Sequence, residues 1–107
     1  MKRSPPEFSQ QTRLQQQITL AAENLSEGEV VSFGDLARRA GRPRAARAAG
    51  AVLADSADTL PWWRVVYSDG YLPPHNPGLQ AERLADEGVD LEGFRVVRSP
   101  KGRFSQC

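Results

Sequence analysis

Three features of the sequence predict a mainly α-helical domain with a small β wing, of the winged helix-turn-helix-like kind. Residues 7–25 form an amphipathic segment, two short helical segments meet at a turn containing Gly41, and a β-prone stretch after Pro61 runs into the turn signal Ser68-Asp69-Gly70. A chain of 107 residues has room for one domain. We expect a lead-in over residues 1–6 containing Pro5 and Pro6, one folded unit over 7–98, and a polar, frayed tail over 99–107.

Each element follows from local signals. Leu14, Ile18, Ala21 and Leu25 recur at helical spacing, so the first helix is expected to lay one face on the core, with Gly28 breaking the pattern. Ser32 can cap the next helix, whose third residue is the acid Asp35, and Gly41 stops that helix near Ala40. Pro43 suits a first helical position, which places a third helix from there to about Ala54. Residues 62–67 are read as a strand, Tyr71-Leu72 as its hairpin return, and the segment from Pro73 to Gly78 as a stiff loop around His75. A short helix over 79–87 closed by Gly88, then an extended stretch over 89–97, completes the unit.

Composition narrows the function classes. No apolar run approaches the roughly 20 residues of a membrane span, and no signal-peptide block is visible, so a soluble, cytoplasmic protein without membrane contact is expected. The one cysteine, Cys107, allows no disulfide framework and no thiolate cluster, and neither a metal nor a cofactor is expected. The net charge of +1 hides an uneven distribution: Arg38, Arg39, Arg42, Arg44 and Arg47 fall in a stretch without acids, whereas Asp58, Asp69, Asp86, Asp90 and Glu92 come later. Guanidinium groups on a helix pair suit phosphate oxygens, which points toward DNA. The third helix, Arg44-Ala45-Ala46-Arg47-Ala48-Ala49-Gly50, is almost stripped of bulk. That bareness serves either close approach to a ligand or tight helix packing. It is a poor major-groove reader, which would project several Asn, Gln and Arg side chains.

The motifs together carry a resemblance. Gly28-Glu29-Val30-Val31-Ser32-Phe33-Gly34-Asp35-Leu36-Ala37, then Pro43-Arg44-Ala45-Ala46-Arg47-Ala48, then Pro61-Trp62-Trp63-Arg64-Val65, with Leu79-Gln80-Ala81-Glu82-Arg83-Leu84 and Glu87-Gly88-Val89 behind them, resemble the C-terminal DNA-binding domain of the O6-alkylguanine-DNA alkyltransferases over roughly residues 7–95. The last large motif is Pro-Cys-His-Arg-Val in those enzymes, where the cysteine accepts the alkyl group and the histidine relays its proton. Trp62 stands at the cysteine position and Trp63 at the histidine position. Indole offers one weakly acidic N–H and no thiolate, so nucleophile and base are both absent. This pattern is similar to that of the alkyltransferase-like proteins.

The resemblance implies non-enzymatic recognition of O6-alkylguanine in double-stranded DNA by a minor-groove helix-turn-helix and base flipping. It further implies flagging of the lesion for nucleotide excision repair proteins by a monomer. It places Arg47 in the base stack behind the extruded nucleotide, with Arg44, Ala45, Ala46, Ala48 and Gly50 forming the bare helix surface in the groove. Phe33 stands where the family usually has a tyrosine that pushes on the phosphate of the flipped nucleotide; the ring can wedge, but it carries no hydroxyl. Trp62, Val65 and His75 are implied to line the lesion pocket, Trp63 to pack, and Arg64 to tie down the neighbouring loop. Two other classes fit parts of the chain. A winged-helix transcriptional regulator on undamaged DNA would explain the helices and arginines but not residues 61–66. An enzyme, either an alkyltransferase with Cys107 as a displaced nucleophile or a glycosylase, would need a reactive group that the motif lacks.

Overall fold

The first element described is a helix set by its cap. The computed structural model describes residues 12–105, so the lead-in, the expected helical turns before Thr12, and Cys107 lie outside the described residues. Thr12 and Gln15 form a reciprocal capping box at the start of α1, Arg13–Glu23. Ile18, Ala22 and Leu25 are buried and Leu14 and Ala21 pack beside them, as the helical spacing predicts.

β1, Glu29–Ser32, leads directly into α2, Phe33–Arg39. Ser32 caps α2 through the Asp35 N–H at 3.0 Å, and the Asp35 carboxylate returns the bond to the Ser32 N–H. Gly41, at φ 78°, ends the helix in a Schellman arrangement: its N–H donates to the Arg38 carbonyl and the Arg42 N–H to the Ala37 carbonyl. The third helix does not start at Pro43. Residues 42–45 close a turn, with the Ala45 N–H on the Arg42 carbonyl, and α3 runs Ala46–Asp55. The chain must first leave the left-handed Gly41, so Pro43 serves that turn, and Arg44 stands before the helix rather than on it.

The expected strand over 62–67 is also corrected. Pro61 adopts φ −77° and ψ 64°, an inverse γ-turn that places the Trp62 N–H 2.7 Å from the Leu60 carbonyl. Trp62–Arg64 then coil as one 3-10 turn before the two-residue β2, Val65–Val66. The turn at residues 68–70 is present, with the Tyr67 N–H donating to the Tyr71 carbonyl at 3.0 Å across it, and Tyr71 also bridges to Arg95. α4 starts earlier than expected, at Pro77–Asp86, because Pro77 occupies its first turn and Asn76 turns the chain into it from the left-handed region. The extended stretch over 89–97 is a hairpin, β3 Asp90–Glu92 and β4 Arg95–Arg98, turning at Gly93.

The frayed tail is the largest correction. β5, Lys101–Gly102, pairs in parallel with β1, placing Lys101 opposite Glu29 and Gly102 opposite Val30. β1 also pairs in parallel with β2, so the sheet order is β2-β1-β5. Side chains alternate across this sheet. Val31 and Val65 join Ile18, Leu36 and Leu53 in a core under α1, α2 and α3, whereas Val30 and Val66 join Leu84, Val89 and Val96 in a second core under α4 and the hairpin. The two tryptophans divide in the same way, Trp62 packing on the first core and Trp63 on the second.

Candidate nucleic-acid interface

The short sheet and α3 converge on a cavity. Phe33 opens α2, Gly50, Leu53 and Ala54 come from α3, Trp62 from the 3-10 turn, Val65 from β2, and Pro73, His75 and Gln80 from the loop and helix beyond. Its volume is about 200 Å³. That is smaller than the roughly 300–1,000 Å³ of drug-sized ligand sites, and suits a group no larger than one base. The walls are aromatic and aliphatic, and among the described residues no cysteine, lysine or carboxylate lines it.

Gly50 meets the Phe33 ring edge, to which an added Cβ would stand 3.7 Å distant. Arg47 lies three residues earlier on the same helix, hence one turn above the cavity on the same face. It is exposed and has no carboxylate partner among the described residues, and the same holds for Arg44. The other arginines of the cluster are engaged. Arg38 pairs with Asp35, Arg39 with Glu29 at 2.7 Å, and Arg42 donates to the Gln17 side chain at 2.8 Å. Of the small residues, Ala48 packs on the first core, while Ala45 and Ala46 form the half-buried start of α3.

Trp63 and Arg64 face away from the cavity and build its support. The Trp63 indole N–H donates to Glu87 Oε2 at 2.9 Å. Arg64 reaches the same carboxylate through Nε at 2.9 Å and Nη2 at 2.7 Å, and its Nη1 donates to the Leu25 carbonyl. Glu87 also accepts from the Gly28 N–H at 2.8 Å. Burial alone would raise the Glu87 carboxyl, but the hydrogen bonds from Arg64, Gly28 and Trp63 outweigh it and hold it below the ordinary value. Arg83 stacks over both indoles, with its guanidinium carbon 4.9 Å from the Trp63 ring and 5.8 Å from Trp62. The two indoles meet edge to face at 6.2 Å, so Trp62 is held from behind while lining the cavity in front.

Of the residues singled out by sequence, the structure brings Phe33, Gly50, Trp62, Val65 and His75 to one cavity; Arg44, Ala45, Ala46, Arg47 and Ala48 do not line it. Gln80 joins the cavity without having been singled out. It is 1% exposed, and its Nε2 donates to the Trp63 carbonyl at 3.1 Å and the Val65 carbonyl at 3.0 Å. One signal could have found it: Gln80 lies four residues before Leu84, so a polar side chain shares the core-facing stripe of α4.

Residues 13–89 match a family model described as the 6-O-methylguanine DNA methyltransferase, DNA binding domain. The chain belongs to this methyltransferase family. Within it, this methyltransferase relative is 40% identical over 85 residues to the DNA base-flipping protein of Escherichia coli (strain K12), an alignment covering 76% of this chain and 66% of that protein. The chain thus spans just under two thirds of that relative's length. Among solved structures it is similar to S. pombe Atl1 in complex with damaged DNA containing O6-carboxymethylguanine, at 26% identity and a TM-score of 0.66, over 84% of this chain and 83% of that one. It is also similar to Mycobacterium tuberculosis OGT in complex with DNA, at 30% identity and a TM-score of 0.64, over 71% of this chain and 50% of that one. These likenesses make it an alkyltransferase-like member of the family, with the mainly helical fold and small wing expected of one.

Proposed function

We propose that this chain recognises O6-alkylguanine in duplex DNA by drawing the base into the Trp62 cavity, without any chemical turnover. The observation that carries the reading is the cavity: a base-sized, mainly apolar chamber with no cysteine, lysine or carboxylate among its described lining residues, under a helix that presents Arg47 to solvent. Extruding a base costs a few kcal/mol, and a planar cation filling the gap recovers part of that cost. Arg47 takes this role because it is exposed, lacks a carboxylate partner among the described residues, and stands one turn above the cavity. Arg44, Ala45 and Ala46 then lie against the backbone of the minor groove.

Inside the chamber, Trp62 offers a flat face for stacking, worth roughly 1–3 kcal/mol per base. A flat wall also tolerates alkyl groups of different size. Phe33 wedges at one side, Val65 floors the cavity, and the His75 loop closes over it. Two positions of the motif support a reading without turnover. The Trp62 position holds an indole, and the Trp63 N–H, at the position of the relay histidine by resemblance, is already donated to Glu87. Neither can attack carbon or accept a proton. The relatives, a DNA base-flipping protein and a protein solved in complex with damaged DNA, support this reading.

A protein that holds a lesion without removing it must pass it on. The partners of this monomer would be nucleotide excision repair proteins, in the cytoplasm, nucleoid-associated in a bacterial cell. Titration of a duplex carrying O6-methylguanine, read by tryptophan fluorescence, tests the recognition step. Quenching and tighter binding than to the undamaged duplex of the same sequence are expected. Equal affinity for the two would instead favour a regulator of undamaged DNA. Intact masses of protein and oligonucleotide should both be unchanged after incubation; a methyl gained by the protein or a base lost from the DNA would overturn the non-enzymatic reading.

A further inference from the structure

Both indoles are covered by one cation. Arg83 stands in the last turn of α4, where a positive side chain suits the carbonyl end of the helix. Its guanidinium carbon lies 4.9 Å from the centre of the Trp63 ring and 5.8 Å from that of Trp62. It lines a hollow of about 430 Å³ together with Leu60, Pro61, Trp63 and Arg64, and it does not line the base cavity. Arg83 thus reaches Trp62 from outside the cavity, while Gln80, one turn earlier on the same helix, fixes the Trp63 and Val65 carbonyls.

The charge of Arg83 is not cancelled. Arg64 and Glu87 neutralise each other behind Trp63, at 2.7 Å. Glu23 and Asp58 line the same hollow as Arg83, but both are exposed and neither pairs with it among the described residues. One positive charge therefore remains against the indole pair. An aromatic face by itself attracts a cation. A guanidinium already over the ring uses that attraction and repels a second cation approaching from the cavity, where no carboxylate stands among the described lining residues to offset it. Methylated guanines differ in this respect: alkylation at O6 leaves a neutral base, whereas alkylation at N7 gives one with a fixed positive charge.

We propose that Arg83 makes the base cavity charge-selective. Acting through Trp62 as a positioning residue, it holds the indole in place and turns away guanines that carry a positive charge, so that neutral O6-alkylguanine is stacked and N7-alkylguanine is not. The inference rests on Trp62 stacking with an extruded base. A bare aromatic chamber would favour the cationic base; Arg83 reverses that order.

Two duplexes of one sequence provide the test, one carrying O6-methylguanine and the other N7-methylguanine whose sugar is fluorinated at C2′ to prevent loss of the base. The wild-type protein should prefer the O6-methylguanine duplex. Arg83→Met keeps an apolar stem over the indoles and removes the charge; it should shrink that preference about tenfold, chiefly by tighter binding of the N7-methylguanine duplex. Arg83→Gln, a second neutral variant, should behave in the same way, and Arg83→Lys should restore most of the preference. A purely structural role for Arg83 would weaken both duplexes equally. An unchanged preference in the neutral variants would therefore overturn the inference while leaving lesion recognition standing. A wild-type protein that does not distinguish O6-methylguanine from undamaged guanine would instead remove the stacking reading beneath it.

Discussion

Glu87 shows how single residues hold this site. Its carboxylate collects Arg64, the Trp63 indole and the Gly28 N–H, and the Arg64 and Glu87 side chains are only 14% and 11% exposed. Removing one partner of such a pair leaves a poorly solvated charge. Glu87→Ala is therefore expected to destabilise by about 3 kcal/mol in denaturant unfolding. In a double-mutant cycle, Arg64→Ala should add little to Glu87→Ala, and full additivity would show that the pair does not act as a unit. The pH dependence has a definite sign. Glu87, Glu29 and Asp35 all sit below their ordinary values of 4.5, 4.5 and 3.8, because hydrogen bonds and arginines outweigh the burial that would raise them. Each stabilises the fold above its unfolded value, and that contribution fades as the pH falls through the lower folded value. The melting temperature should hold from pH 7 to about 5 and drop below about 4.5, with a shallower drop in Glu87→Gln.

At the scale of elements, the capped helices were legible and the connections were not. Ser32 with Asp35, Gly41, and the apolar face of α1 are local signals, because a cap or a stripe is decided within a few residues. The start of α3 and the 3-10 turn at Trp62 were missed because they rest on turn geometry at Gly41 and Pro61 that residue types alone leave open, and the pairing of β5 because its partner lies elsewhere in the chain. Gly102 illustrates the last. At φ 90° it lies so close to β1 that a Cβ would stand 2.4 Å from the Val30 carbonyl oxygen. Gly102→Ala should therefore cost about 2–4 kcal/mol and release β5. Gly41 has a similar φ of 78° with nothing within 4 Å, so Gly41→Ala should cost only about 1 kcal/mol. Thermal unfolding of the two variants compares clash with conformation alone. Equal losses would mean that β5 does not hold Gly102 against Val30.

For the whole molecule, a net charge of +1 understates the local positive charge at the start of α3, where Arg44 and Arg47 are exposed and have no carboxylate partner among the described residues. Arg44→Ala and Arg47→Ala separate two kinds of binding energy. Arg44→Ala should weaken damaged and undamaged duplexes alike and reduce the salt slope by about one. Arg47→Ala should chiefly erase the preference for the damaged duplex. Fluorescence titrations at several salt concentrations distinguish these outcomes, and identical behaviour of the two variants would contradict the assignment of Arg47 to the base stack.

By itself the sequence determined the Ser32–Asp35 cap, the stop at Gly41, the apolar face of the first helix, the helix-turn-helix order and the indoles at Trp62 and Trp63, since each is written in neighbouring residues. Only the tertiary structure decided that Phe33, Gly50, Trp62, Val65, His75 and Gln80 enclose one cavity, and that Arg103 reaches Asp35 across 68 residues of sequence. The reason is physical: β1 pairs in parallel on both edges, and parallel neighbours are joined by long crossovers whose register no local signal encodes.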